Sequence, residues 1–110
     1  LEVTMVACIL VSAEWCGACQ PMKEYWKTMS YPGVRFQNRD IDAIVGNVYG
    51  YGVNRWMSLG ANLLFEVDSS RRICSLPTIV IMDSTGVLAQ ESGAKTERGV
   101  ISMLDSVIGG

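Results

Sequence analysis

The sequence predicts one α/β domain over residues 1–110, a four-stranded mixed sheet flanked by helices. Three observations carry this. Residues 3–11 form a nearly unbroken apolar run rich in β-branched side chains, as expected of a strand covered on both faces. Ala18, Met22, Tyr25, Trp26 and Met29 then recur at helical spacing, so residues 17–30 read as an amphipathic helix packed on that strand. Residues 78–83 are a second buried strand, and Ser84-Thr85-Gly86 turns it back into Val87–Gln90 as a hairpin.

The remaining elements fit between and after these. Pro21 removes a backbone donor inside the first helix and predicts a bend there, while Tyr31-Pro32-Gly33 ends it. Val34–Asn38 reads as a short strand that leaves through Asp40-Ile41-Asp42, and a strand, helix, strand unit of this length implies a parallel pair. Residues 43–57, with Gly46, Gly50 and Gly52 among Tyr49, Tyr51 and Trp56, form an enlarged connection. Trp56, Leu59, Leu63, Leu64 and Val67 share one helical face, closed by Asp68-Ser69-Ser70. Thr96 can cap a last helix whose apolar stripe is Val100, Ile101, Leu104, Val107 and Ile108.

Composition narrows the chemistry. Half the chain is hydrophobic (49%), enough for a core without covalent staples, and nine Lys and Arg against eleven Asp and Glu give no basic field for nucleic acid. No apolar run is long enough to span a membrane, and no signal-peptide pattern is present, which predicts a soluble, cytoplasmic protein. Because the sequence starts at Leu1, a periplasmic or secreted location stays open. Histidine is absent, removing the commonest metal ligand and the commonest general base together.

Of the four cysteines, Cys16 and Cys19 carry the strongest signal. Trp15-Cys16-Gly17-Ala18-Cys19 falls at a strand-to-helix junction, where free N–H groups and the positive end of the helix favour a thiolate. The pKa of Cys16 is therefore expected to lie below the free-thiol value of about 8.5. Two intervening residues let the second sulfur reach back and displace a partner bound to the first. Zinc would need Cys8 and Cys74 as further ligands, without the usual paired spacing, so the pair reads as redox-active. Cys8, mid-strand, reads as a small buried hydrophobe and Trp26 as core, while Cys74 reads as an inert loop cysteine or an oxidisable one. Arg71 and Arg72 read as solvated.

The segment Ala13-Glu14-Trp15-Cys16-Gly17-Ala18-Cys19 resembles the active site of the thioredoxin-like family, differing at Ala18, where the family usually has proline. Ile73-Cys74-Ser75-Leu76-Pro77-Thr78 is similar to its cis-proline loop, and Ser92-Gly93-Ala94 to its third substrate-facing loop. The resemblance implies a dithiol/disulfide oxidoreductase with catalytic Cys16 and Cys19. It implies a substrate surface of Trp15, Gly17, Ala18, Leu76, Pro77 and Gly93, with the Leu76–Pro77 bond cis and Leu76 pairing its backbone with an extended substrate. No cofactor beyond the Cys16–Cys19 disulfide is implied. The implied partners are disulfide-containing proteins and a thioredoxin-reductase-like electron donor, with no nucleic acid and no membrane.

The pattern departs from the family at three places. The N-terminal strand and helix found in ordinary thioredoxins have no counterpart before residue 3, the family's buried acid falls at Leu10, and its lysine partner falls near Asn38. Resolution by Cys19 is therefore expected to be slow, using water, a substrate group or a carboxylate such as Glu14. The long connection supports an alternative, a docking module whose interface is the 43–57 insertion, with Tyr49, Tyr51 and Trp56 either as contacts or as core. A thiol oxidase or isomerase is the other alternative.

Overall fold

A computed structural model describes residues 6–40 and 76–109. The expected helix over Trp56–Val67, the 43–57 connection with Tyr49 and Tyr51, and Arg71, Arg72 and Cys74 lie outside the described residues. Strand β1 (Val6–Ser12) is central. On one side it pairs in parallel with β2 (Val34–Asp40), from Val6 opposite Val34 to Ser12 opposite Asp40. On the other it runs antiparallel to β3 (Thr78–Asp83), which forms a hairpin with β4 (Gly86–Ser92), giving the order β2-β1-β3-β4. The mixed four-stranded sheet expected from the sequence is present, with β2 extending to Asp40 and β4 to Ser92, beyond their expected ends.

Periodicity explains why β1 sits inside. Cys8, Ile9, Leu10 and Val11 are all buried, so neither face of the strand meets water. Cys8 and Leu10, with Ile79 and Ile81 of β3, face a cluster made by Met22, Trp26 and Met29 and by Val100, Met103 and Leu104. Each large apolar side chain buried there contributes about 1.5–3 kcal/mol relative to exposure.

The helix expected over residues 17–30 is shorter and begins differently. A 3-10 turn, Gly17–Cys19, leads into α1 (Gln20–Trp26). Pro21 stands in the first turn of α1, where a missing N–H leaves no gap in the ladder, so the irregularity precedes the helix instead of bending it. After Trp26 the chain closes by three-residue bonds from Thr28 N to Tyr25 O (3.1 Å) and Met29 N to Trp26 O (3.4 Å). The Thr28 hydroxyl also donates to Tyr25 O at 3.2 Å, competing for the carbonyl that would continue the helix. Met29 stays buried as part of the return toward β2.

In the β3–β4 turn, Asp83 Oδ1 accepts from Thr85 Oγ1 (2.6 Å) and Thr85 N (2.8 Å), and Gly86 takes φ +126°, a conformation that favours glycine. These bonds hold the Asp83 carboxyl below its ordinary range, the Thr85 hydroxyl first among them.

The last helix, α2 (Glu97–Leu104), starts at Thr96, whose Oγ1 accepts from Gly99 N at 3.1 Å. Thr96→Ala is expected to lower stability by about 1 kcal/mol in urea unfolding. The expected apolar stripe needs correction: Met103 is buried with Val100 and Leu104, whereas Ile108 is 36% exposed. The chain widens into a π-type turn over Asp105–Gly109, which changes the angular phase after Leu104 and carries Ile108 off the buried face. Among the described residues no helix is long and apolar enough to cross a membrane.

Cys8 is fully buried and free of disulfides, and burial pushes its thiol up to about 12 from 9.0. Between these values the unfolded chain releases this proton and the folded chain keeps it, so stability falls as pH rises from 9 toward 12. Urea midpoints across that range are expected to fall more steeply for the parent than for Cys8→Ala. Equal slopes would refute this.

Candidate active site

The sheet register builds the site. Val11 lies opposite Thr78, and Thr78 lies opposite Ser92. The loop leaving β1, the proline entering β3 and the loop leaving β4 are thereby brought to one end of the sheet. Leu76–Pro77 is a cis peptide, and Pro77 O accepts from Gly93 N at 2.9 Å, joining the second loop to the third. Gly93 has φ +102°, so a side chain there would be strained.

Cys16 and Cys19 are joined by a disulfide, with their Cα atoms 5.3 Å apart. Cys16 is the last extended residue before the 3-10 turn, at φ −89° and ψ 105°, and Cys19 N donates back to Cys16 O at 3.1 Å. Both cysteines are buried, Cys16 less completely than Cys19, at 8% against 0% exposure. Trp15, beside them in sequence, is 45% exposed, and Gly17 and Ala18 are exposed on the turn. Leu76 is half-buried, Pro77 buried and Gly93 exposed. The residues singled out in the sequence thus lie on three loops at the same end of the sheet.

No protein-family model and no curated protein matches the sequence. Solved structures do match. The thioredoxin of Fasciola hepatica aligns with a TM-score of 0.63 at 18% identity, covering 94% of this chain and 81% of that one. Spinach chloroplast thioredoxin f, in its short form, gives 0.61 at 19% identity over 94% and 77% of the two chains. A point mutant of the thioredoxin of Halobacterium salinarum gives 0.59 at 19% identity over 93% and 74%. The chain has the thioredoxin fold.

Within the thioredoxin fold, the position implied for the family's buried acid is Leu10, which is fully buried in the apolar cluster. Asn38 lies opposite it in the β1–β2 register and accepts a hydrogen bond from the buried Ser12 hydroxyl at 2.7 Å. Glu14 is the nearest carboxylate in sequence to Cys16. Its side chain is 77% exposed and paired with Lys23 Nζ at 3.3 Å. Lys23 also reaches Asp40 Oδ2 at 3.7 Å, tying the start of the site loop to the end of β2.

Among the described residues no three or more Cys, Asp or Glu side chains gather where they could hold a metal ion.

Sequence reasoning missed Gln20. Its carboxamide Nε2 donates to Cys16 O (3.0 Å), Glu14 O (3.1 Å) and Ala13 O (3.4 Å), three carbonyls of the loop that carries the dithiol. The available signal was spacing, since a polar side chain four residues beyond Cys16 at a helix start lies over the preceding turn.

Proposed function

We propose that this chain is a protein dithiol/disulfide oxidoreductase in which Cys16 attacks and Cys19 resolves. The observation that carries the reading is a disulfide at a strand-to-helix junction between two residues of unequal burial, Cys16 at 8% exposure and Cys19 at 0%. Cys16 is the less buried of the two and is flanked by exposed Trp15 and Gly17, which favours it as the residue an outside disulfide meets first.

In the reduced protein the Cys16 thiolate attacks one sulfur of a substrate disulfide. A Cys16–substrate bond forms, the substrate S–S bond breaks, and one substrate sulfur leaves as a thiolate that takes a proton from solvent. The Cys19 thiolate then attacks Cys16 Sγ, closing the Cys16–Cys19 disulfide and releasing the second substrate thiolate. Two electrons pass to the substrate, and an external dithiol donor, in the role of a thioredoxin reductase, restores the reduced form.

The Leu76–Pro77 and Gly93 loops, with Trp15, Gly17 and Ala18, form the surface on which an extended substrate segment docks, its backbone pairing with Leu76. With apolar Leu10 in place of an acid, the Cys19 proton leaves to water, a substrate group or a carboxylate such as Glu14. No bound cofactor takes part. The reading places the protein in the cytoplasm, recycled by reductant.

Insulin reduction with dithiothreitol as donor tests this. Turnover above the dithiothreitol background supports the reading, and none overturns it. Equilibration with glutathione then fixes the direction of electron flow: a potential near about −270 mV marks a reductant and one near about −180 mV an isomerase.

A further inference from the structure

The geometry points to Gln20 as a positioning residue that sets the equilibrium between dithiol and disulfide at Cys16 and Cys19. This inference rests on the oxidoreductase reading for its function, and its test does not need that reading.

The clamp follows from local sequence. Gln20 N donates to Gly17 O within the 3-10 turn, and the next residue, Pro21, has no N–H to give. The tightened turn brings the Gln20 side chain back over the loop it has just left. There its one nitrogen meets three carbonyl oxygens, and its two N–H bonds are shared among them, the shortest contacts being to Cys16 and Glu14. One helical turn further, Lys23 pairs with the Glu14 carboxylate, so successive polar residues of α1 hold the same loop.

Fixing those oxygens fixes more than the oxygens. Peptide groups are planar and trans, so the N–H of the residue after each carbonyl points the opposite way. Anchoring Glu14 O and Cys16 O therefore sets the N–H directions of Trp15 and Gly17, on either side of the attacking sulfur. The backbone that carries Cys16 is held toward the helix start, and Cys19 is held within the helix start. The second sulfur then meets the first at a high effective concentration.

The two redox states feel the loss of this clamp unequally. In the oxidised form the disulfide itself restrains the loop, whereas in the reduced form Gln20 is the direct tie between the α1 side chains and the loop backbone at Cys16. Removing its donors loosens the dithiol more than the disulfide. The lost loop order lowers the effective concentration of Cys19 at Cys16 and favours the reduced form.

The experiment is equilibration of the parent, Gln20→Met and Gln20→Glu in glutathione buffers, read by alkylation and mass. Methionine keeps the length of the side chain and removes both donors; glutamate keeps its shape and sets an acceptor against the carbonyls. Both variants are expected to shift the equilibrium toward the dithiol by about fivefold, which is about 20 mV for two electrons. A purely packing role would lower the melting temperature and leave the equilibrium in place. An equilibrium constant within about twofold of the parent, for whichever variant folds, overturns the inference. Should the parent fail to reduce insulin, the oxidoreductase reading falls, and the glutathione equilibrium still decides the role of Gln20.

Discussion

Cys16→Ser is expected to reduce insulin no faster than dithiothreitol alone, and Cys19→Ser is expected to attack once and stop. Both follow from the asymmetry of one disulfide. Cys16 is the less deeply buried residue of the pair, at 8% exposure, so on the proposed reading replacing it removes the atom that meets a substrate. Cys19 is sealed under the turn at 0% exposure and acts only on a partner already bonded to Cys16. Its serine variant should accumulate about one equivalent of mixed disulfide, visible as a mass increase that dithiothreitol removes. If Cys19→Ser turns over like the parent, or if Cys16→Ser retains parent activity, the assigned roles fail. The same trapping variant identifies partners, since the substrate stays covalently attached.

The parts of this molecule that could be read from the sequence are those governed by short-range pattern. The apolar run of β1, the Ser84–Gly86 turn and the Thr96 cap each depend on a few adjacent residues, and each is present. The Cys16–Cys19 spacing was equally local. What escaped depends on which carbonyl a side chain finds in three dimensions. Where α1 ends, the backbone N–H and hydroxyl of Thr28 both bond Tyr25 O, and a π-type turn after Leu104 carries Ile108 off the buried face. Gln20 escaped for the same reason: its role lies in the oxygens of Ala13, Glu14 and Cys16, and no apolar period encodes it.

The expectation with the largest effect on stability concerns Trp26. Its ring is 4% exposed, in the cluster between α1 and the sheet, and meets Phe36 edge-on with centroids 5.6 Å apart. Its Nε1 donates to Gln37 O at 2.9 Å, so one side chain both fills the space over β2 and bonds that strand's backbone. Trp26→Ala loses both and is expected to cost about 3–5 kcal/mol, a large share of the roughly 5–15 kcal/mol that holds a domain of this size together. Trp26→Phe separates the two contributions. It keeps most of the apolar bulk and leaves Gln37 O without this donor, for an expected loss of about 1–3 kcal/mol. Urea unfolding of the oxidised forms reads both differences. Because β2 runs parallel to β1 and ends beside the site loop at Asp40, loosening it also releases the Lys23 tether. Trp26→Phe should therefore weaken the fold while leaving disulfide exchange near the parent rate, and Trp26→Ala should impair both. If Trp26→Ala unfolds at the parent's urea concentration, the tryptophan does not anchor α1 to β2.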